Sequence, residues 1–156
     1  MSQQDPPIFA LLNEIGIIEQ LARNRFERSQ TDGLRLPHFS VLNHLVRLGD
    51  GRGPAQMARA FEVTKATMTN TLQRLEARGF IRIEADPGDA RAKRVYLTES
   101  GRARRERAVR DAVASLTPVM QEMGVMPPEL LPALAALRRA LDAARDKPGR
   151  RRATVG

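Results

Sequence analysis

Hydrophobic residues recur at steps of three and four along most of this chain, a period that predicts amphipathic helices rather than strands. The first such segment covers residues 7–29, and its apolar stripe extends to Phe26. The second covers residues 37–48, which begin with a proline and are followed by a glycine. Proline in the first helical turn and glycine after the last turn favour those bounds.

Two further helices are predicted, one beginning at Pro54 and one over residues 65–77, with a tight turn at residues 61–64 between them. Thr64 stands where its side chain can cap the second helix. The apolar positions of both helices are expected to lie in the core: Met57, Ala58, Phe61, Met68, Leu72 and Leu75. Two helices joined in this way form a helix-turn-helix.

The hydrophobic period then changes to two. Ile81 and Ile83 alternate with charged residues, and a second alternating segment ends at Leu97. The sequence Asp-Pro-Gly-Asp at residues 86–89 favours a turn between the two segments. These features predict a two-stranded hairpin, after which Thr98 is expected to cap another helix.

The C-terminal part of the chain predicts two more helices. Apolar residues keep helical spacing as far as Met123, and Pro118 is expected either to kink this helix or to end it near Thr117. A break is expected at residues 124–128. The leucines that follow at helical spacing predict the last helix.

Composition removes several classes of function. The chain has no cysteine and no tryptophan, and aromatic residues are 4% of it, which excludes thiolate metal sites and disfavours aromatic stacking platforms for RNA. His38 and His44 project roughly 240° apart on one predicted helix, so they do not form a metal-binding pair. No catalytic motif is present, and we expect neither an enzyme nor a metal or cofactor site. No apolar run has the length of a membrane span or a signal peptide, which predicts a cytoplasmic protein without a membrane partner.

The net charge of +8 is concentrated in the middle of the chain. Residues 52–110 carry 14 basic and 7 acidic side chains, whereas residues 1–51 carry 5 and 6. A basic excess in the segment that holds the helix-turn-helix and the hairpin is typical of a protein that binds nucleic acid. An ordinary solvated surface is the alternative explanation.

The second helix of the pair offers amides, hydroxyls and cations, which hydrogen-bond to base edges and phosphates in defined directions. The predicted DNA contacts on this helix are Lys65, Thr67, Thr69, Asn70, Gln73 and Arg74. Lys65 and Arg74 are expected at phosphates. Past the hairpin tip, Arg91, Lys93 and Arg94 can reach a neighbouring minor groove. For each residue, an ordinary polar surface is the alternative.

Residues 36–101 resemble the MarR family of winged-helix regulators. The segment 86–101 matches the family's D-P-x-D-x-R followed by L-T-x-x-G. The resemblance implies that Asp89 orients Arg91, and that Arg91 contacts the minor groove or its phosphates. A salt bridge that only stabilises the turn is the alternative. Many members of the family have arginine where this chain has Asn70. Asparagine can form two hydrogen bonds with adenine, whereas arginine favours guanine or phosphate. This difference therefore affects the expected operator sequence but not the expected mode of binding.

The resulting fold class is mainly α with a small β-hairpin wing: a winged helix-turn-helix whose N- and C-terminal helices form a dimerisation region. The expected divisions are an N-terminal dimerisation helix at 1–35, the DNA-binding domain at 36–98, C-terminal dimerisation helices at 99–146 and a basic, disordered tail at 147–156. The terminal helices carry more apolar stripe than one small winged domain can cover. This favours a homodimer on a pseudo-palindromic operator.

These features favour a sequence-specific regulator of transcription that binds double-stranded DNA, with repression favoured over activation. The resemblance leaves open a small aromatic or anionic effector that releases the DNA. The residues that could line its site are Arg23, Arg35, His38 and Phe39. Two other functions remain: a protein-interaction module that does not read DNA, which the basic middle segment disfavours, and a nucleoid-type binder without sequence preference.

Overall fold

The computed structural model describes residues 5–124 and 127–145 of the chain. The elements within these residues are α1 (Pro7–Ser29), α2 (Leu36–Leu48), α3 (Pro54–Ala60), α4 (Lys65–Ala77), β1 (Ile81–Asp86), β2 (Asp89–Leu97), α5 (Glu99–Met123) and α6 (Pro127–Arg145). β1 and β2 form one antiparallel hairpin. The predicted fold class, mainly α with a small hairpin, is confirmed. Across the described part of the chain, no helix combines the length and apolar character of a membrane span.

Helix α5 continues through Pro118. Of the two outcomes expected at this proline, an end near Thr117 is therefore wrong, whereas a kink stays a prediction. An internal proline removes one backbone hydrogen bond, whereas the apolar spacing that favours helix continues to Met123. Helix α6 begins at Pro127, inside the predicted break. The tail at 147–156, which the sequence predicts to be disordered, lies outside the described residues.

The main hydrophobic cluster lies beneath the helix-turn-helix and the hairpin. Its buried members are Val41, Leu42, Leu45, Met57, Ala58, Met68, Leu72, Leu75, Ile81, Val95 and Leu97. The predicted core positions of α3 and α4 are therefore confirmed, except that Phe61 is only half-buried, with its ring centroid 5.1 Å from that of His44. This cluster fixes α4 and the hairpin side by side.

A second, smaller cluster joins α1, the start of α2 and α5. Phe26, Leu34 and Ala108 are its buried members, and the Phe26 and Phe39 rings pack with their centroids 4.8 Å apart. No residue of α5 belongs to the main cluster. The first compact unit of the chain, Met1–Ser115, thus contains two separate apolar clusters.

Side-chain caps fix the starts of the two helices that border the hairpin. The Thr64 hydroxyl accepts a hydrogen bond from Thr67 N at 3.1 Å, and the Thr98 hydroxyl accepts one from Gly101 N at 3.0 Å. Both predicted caps are confirmed. Thr98 also donates to the carbonyl oxygen of Gly79 at 2.7 Å, which ties the start of α5 to the chain leaving α4.

Gly101, in the first turn of α5, lies directly against the backbone of Phe80. A Cβ atom at this position would stand 1.9 Å from the Phe80 carbonyl oxygen and 3.0 Å from Leu97 Cδ1. Real Cβ contacts are longer than this, so only glycine fits. The base of the hairpin and the start of α5 therefore form one joint, which we call the Gly101 joint.

We expect Gly101→Ala to destabilise the fold by at least the ~1–3 kcal/mol typical of overpacking, because the clash is with backbone and no rotamer relieves it. Thermal unfolding should show a melting temperature lowered by several degrees. Gly53→Ala is the matched control, since its nearest atom would be the Lys93 carbonyl oxygen at 3.8 Å and its φ is −75°. Equal melting temperatures for the two variants would contradict the close approach.

Candidate DNA-binding surface

Helix α4 has one buried face, and this face determines which residues point outward. Met68, Leu72 and Leu75 are at most 3% exposed. Because successive helical residues are about 100° apart, the line opposite this buried face passes through Ala66 and Asn70. Both residues are exposed. Asn70 is thus among the outermost side chains of the helix.

A groove separates α4 from the hairpin. On the helix side it is lined by Lys65, Thr69 and Gln73, which are four residues apart and share one flank of α4. On the hairpin side it is lined by Arg91 and Lys93. The structure therefore brings five of the predicted DNA contacts to a single open groove, with basic groups on both sides.

The other flank of α4 carries Thr67 and Arg74, outside this groove. The Thr67 hydroxyl lies 2.9 Å from the Thr64 hydroxyl, so it takes part in the N-terminal cap of the helix. Arg74 is exposed. The predicted contacts of α4 are thus distributed over three lines: one towards the groove, one outermost and one on the far flank.

The carboxylate of Asp89 acts on the backbone of the hairpin tip. Its Oδ1 accepts a hydrogen bond from the backbone N of Arg91 at 2.9 Å. The guanidinium of Arg91 forms no ion pair with any residue that the structure describes. Asp89 therefore shapes the turn that presents Arg91, whereas the resemblance implies a brace for its side chain.

Arg94 is engaged within the chain, although the sequence groups it with the cations that reach DNA. Its guanidinium pairs with the Asp86 carboxylate and donates to the Gly51 carbonyl oxygen at 2.8 Å. Since side chains alternate along a strand, Arg94 points to the opposite face from Arg91 and Lys93. The link from Asp86 through Arg94 to Gly51 is named the wing clamp.

The wing clamp reinforces a backbone connection between β2 and the loop after α2. Gly51 N donates to the Val95 carbonyl oxygen at 2.9 Å, and Val95 N donates to the Arg52 carbonyl oxygen at 2.9 Å. The Asp86 carboxylate also accepts from Gly88 N at 2.8 Å. This hydrogen bond and the Arg94 guanidinium lower the pKa of Asp86 from its ordinary value, so the clamp is ionised at neutral pH.

Two of these features went unrecognised in the sequence. Ala66 could have been found from helical spacing, because it lies on the same line of α4 as Asn70. Asp86 could have been paired with Arg94 from their opposite charges on the two sides of a tight turn. The hydrogen bond from Arg94 to Gly51 had no sequence signal, since it joins residues 43 positions apart.

The structure brings together only part of the predicted effector site. Phe39 packs on Phe26, and the exposed Arg35 pairs with Glu27 at 3.3 Å. His38 is half-buried, and its Nδ1 is buried without a hydrogen-bond partner. Burial and then the charge of nearby arginines, Arg74 first among them, lower the pKa of His38, which favours the neutral imidazole.

Arg23 is separate from these three residues. It lies on the exposed surface of α1, where its guanidinium pairs with Glu19 one helical turn earlier at 2.5 Å. An exposed pair of this kind contributes little to stability. Within the residues described, nothing connects Arg23 to Arg35, His38 or Phe39.

Most residues of this surface lie in a segment that is similar in sequence to known proteins. The sequence model of the MarR family matches residues 32–92. The chain is 39% identical over 70 residues, 44% of its length, to the transcriptional regulator HosA of Escherichia coli O111:H-. It is 43% identical over 49 residues, 31% of its length, to the transcriptional repressor NicR of Pseudomonas putida. The matched parts span half of HosA and 31% of NicR.

A solved structure is similar over most of the chain. The Bordetella bronchiseptica protein BpsR, whose DNA binding is regulated by 6-hydroxynicotinic acid, superposes with a TM-score of 0.67. The two proteins are 27% identical, and the match covers 91% of this chain and 96% of BpsR. The similarity thus extends beyond the segment that the family model matches.

We expect Arg94→Ala to loosen the wing clamp. Amide hydrogen exchange should become several-fold faster at Gly51 and Val95, because the guanidinium that holds their connection is lost. Arg91→Ala is the control and should leave these rates unchanged, since the Arg91 guanidinium has no ion pair among the described residues. Unchanged rates in Arg94→Ala would show that the clamp does not hold the loop.

Proposed function

We propose that this chain, whose winged helix-turn-helix belongs to the MarR family, is a transcription regulator that binds a pseudo-palindromic operator as a homodimer. The observation that carries the proposal is the groove between α4 and the hairpin. Lys65, Thr69 and Gln73 face Arg91 and Lys93 across it. A helix that presents polar residues beside a basic hairpin has the form needed to enter a major groove.

The proposed reading roles follow from the three lines of α4. Asn70 is outermost and is assigned to adenine, with which its amide can form two hydrogen bonds. Gln73 and Thr69 read neighbouring base edges, and Ala66 is placed to contact a thymine methyl group. Thr67, whose hydroxyl takes part in the helix cap, is assigned to a phosphate.

The cations are assigned mainly to the DNA backbone. Lys65 and Arg74 flank the reading residues and bind phosphates, which are the commonest partners in such interfaces. Arg91 and Lys93 reach the adjacent minor groove or its phosphates from the hairpin. Asp89 supports them through its hydrogen bond to the Arg91 backbone. Arg94 contributes indirectly, through the wing clamp.

Exposed apolar residues support the proposed homodimer. Ile8, Ile18 and Leu21 on α1 are 61–71% exposed, and Leu131 and Leu141 on α6 are 57–59% exposed. Rows of large apolar side chains in water are unfavourable and mark contact surfaces. We therefore assign residues 1–35 and 99–146 to dimerisation and residues 36–98 to DNA binding. The two copies of α4, the recognition helices of the dimer, would then lie about one turn of DNA apart, roughly 34–36 Å.

Repression and a small effector complete the proposal. NicR is a repressor, and the DNA binding of BpsR is regulated by 6-hydroxynicotinic acid. By analogy, an aromatic acid is proposed to bind at Arg35, His38 and Phe39. The unpartnered Nδ1 of His38 could take up a hydrogen bond from such a ligand. Arg23, which pairs with Glu19 away from these residues, is not assigned a contact with the ligand.

We expect Arg91→Ala and Asn70→Ala to weaken DNA binding in different ways. Arg91→Ala should lower the affinity for all sequences and reduce the salt slope by about one per protomer, because a phosphate contact is lost. Asn70→Ala should cost about 1–3 kcal/mol on the selected operator and relax the preference at one symmetric position. Fluorescence anisotropy over a range of salt concentrations measures both effects.

Selection of bound sites from random DNA distinguishes the proposed function from the two alternatives. A two-fold-symmetric site would support the dimeric reader. Salt-dependent binding without enrichment would favour the nucleoid-type binder, and no DNA binding would favour the protein-interaction module. An unchanged salt slope in Arg91→Ala would contradict the assignment of the hairpin.

The effector proposal predicts that 6-hydroxynicotinic acid or a related aromatic carboxylate raises the melting temperature and weakens operator binding. Phe39→Leu and Arg35→Gln should reduce this response, whereas Arg23→Gln should not. A panel of such acids that shifts neither the melting temperature nor the DNA affinity would contradict an effector of this class.

A further inference from the structure

The carboxylate of Asp32, in the loop between α1 and α2, forms ion pairs with three arginines, one at the end of α4 and two on α5. Arg104 binds it through two nitrogens, with Nε 2.8 Å from Oδ2 and Nη2 2.5 Å from Oδ1. Nη2 of Arg78 lies 2.9 Å from Oδ2, and Nη2 of Arg107 lies 3.3 Å from it. We call these four residues the Asp32 hub.

The hub directly links α4 and α5, two helices that have no apolar cluster in common. Arg78 is the C-cap residue of α4, the helix with the proposed reading residues. Arg104 and Arg107 lie on α5, which contributes to the second cluster and not to the first. Asp32 therefore connects the C-terminal end of α4 to α5, beyond the Gly101 joint at the start of α5.

The charge of Asp32 is essential to this arrangement. Arg104 is only 4% exposed, and its other polar partner is the uncharged, buried Gln30, whose Oε1 lies 3.0 Å from Nη2. Nη1 of Arg104 is buried without a hydrogen-bond partner. A buried guanidinium without its carboxylate is strongly unfavourable. The hydrogen bonds from Arg104, with the charge of this guanidinium, lower the pKa of Asp32 to about 2, so the carboxylate is ionised under all ordinary conditions.

We propose that Asp32 is a positioning residue for operator recognition, which sets the orientation of α4 relative to α5 and thereby the separation of the two recognition helices in the dimer. The inference rests on the proposed function. A bidentate pair with a buried arginine has a defined geometry, unlike an exposed ion pair. Arg78 then holds α4 in place and does not bind DNA phosphate.

The test compares three variants on DNA. Asp32→Asn keeps the side-chain shape and the acceptor for Leu34 N but removes the charge. Arg78→Gln breaks the link to α4 without leaving a buried arginine unpaired, so it is informative even if Asp32→Asn unfolds. Arg107→Gln is the matched control, because its contact is the longest of the three and the link from α4 to Arg104 remains.

Each variant is titrated with the selected operator, with operators in which one base pair is added or removed between the half-sites, and with a single half-site. Asp32→Asn and Arg78→Gln should bind the selected operator at least tenfold more weakly and discriminate less between spacings. Their affinity for the half-site and their salt slope should match wild type, as should all values for Arg107→Gln. Equal losses on half-site and operator, or wild-type spacing preference in both variants, would overturn the proposal.

A second measurement needs no DNA. Since the chain has no cysteine, Ala66→Cys places one spin label on each recognition helix of a dimer. Double electron–electron resonance should give one narrow distance for the labelled protein, and a broader or shifted distribution when Asp32→Asn or Arg78→Gln is added. An unchanged distribution would overturn the positioning role. Absence of any distance between labels would instead contradict the proposed homodimer.

Discussion

The burial of one face of α4 is the constraint on which the rest of the molecule depends. Met68, Leu72 and Leu75 hold this helix against α2, α3 and the hairpin. Because a helix repeats about every 3.6 residues, their burial leaves Asn70 outermost and turns Gln73 towards the hairpin. The same apolar contacts that stabilise the fold therefore decide which polar side chains are presented to a partner.

Local patterns predicted much of this fold. The bounds of α1 and α4, the hairpin and the caps at Thr64 and Thr98 depend on residues close in sequence, where propensity and spacing are informative. Pro118 shows the limit of such reasoning, since the helical pattern on both sides of it outweighs the loss of one hydrogen bond. The predicted DNA contacts of α4 were named from the sequence, but their division between three lines of the helix required the structure.

The contacts of the charged residues were less predictable. The basic excess of residues 52–110 suggests a broad surface for nucleic acid, yet many of its arginines are bonded within the chain. Arg52 donates to the Leu48 and Gly49 carbonyl oxygens, Arg105 to Asn43, and Arg94 to Asp86. Arg78, Arg104 and Arg107 converge on Asp32. The partners Asn43 and Asp32 lie 46–75 positions away from these arginines, and net charge does not register such contacts. It therefore overstates how many cations are available to DNA.

The contact between Gly101 and Phe80 has a consequence for how the protein can change shape. With the glycine seated on the Phe80 carbonyl group, the first turn of α5 cannot rotate or slide without carrying the chain that enters β1. A displacement of α5 therefore also displaces the hairpin. Because coupling between two sites acts equally in both directions, a hairpin that is held on a partner also restrains α5. Gly101 thus couples any movement of the first turn of α5 to a movement of the hairpin.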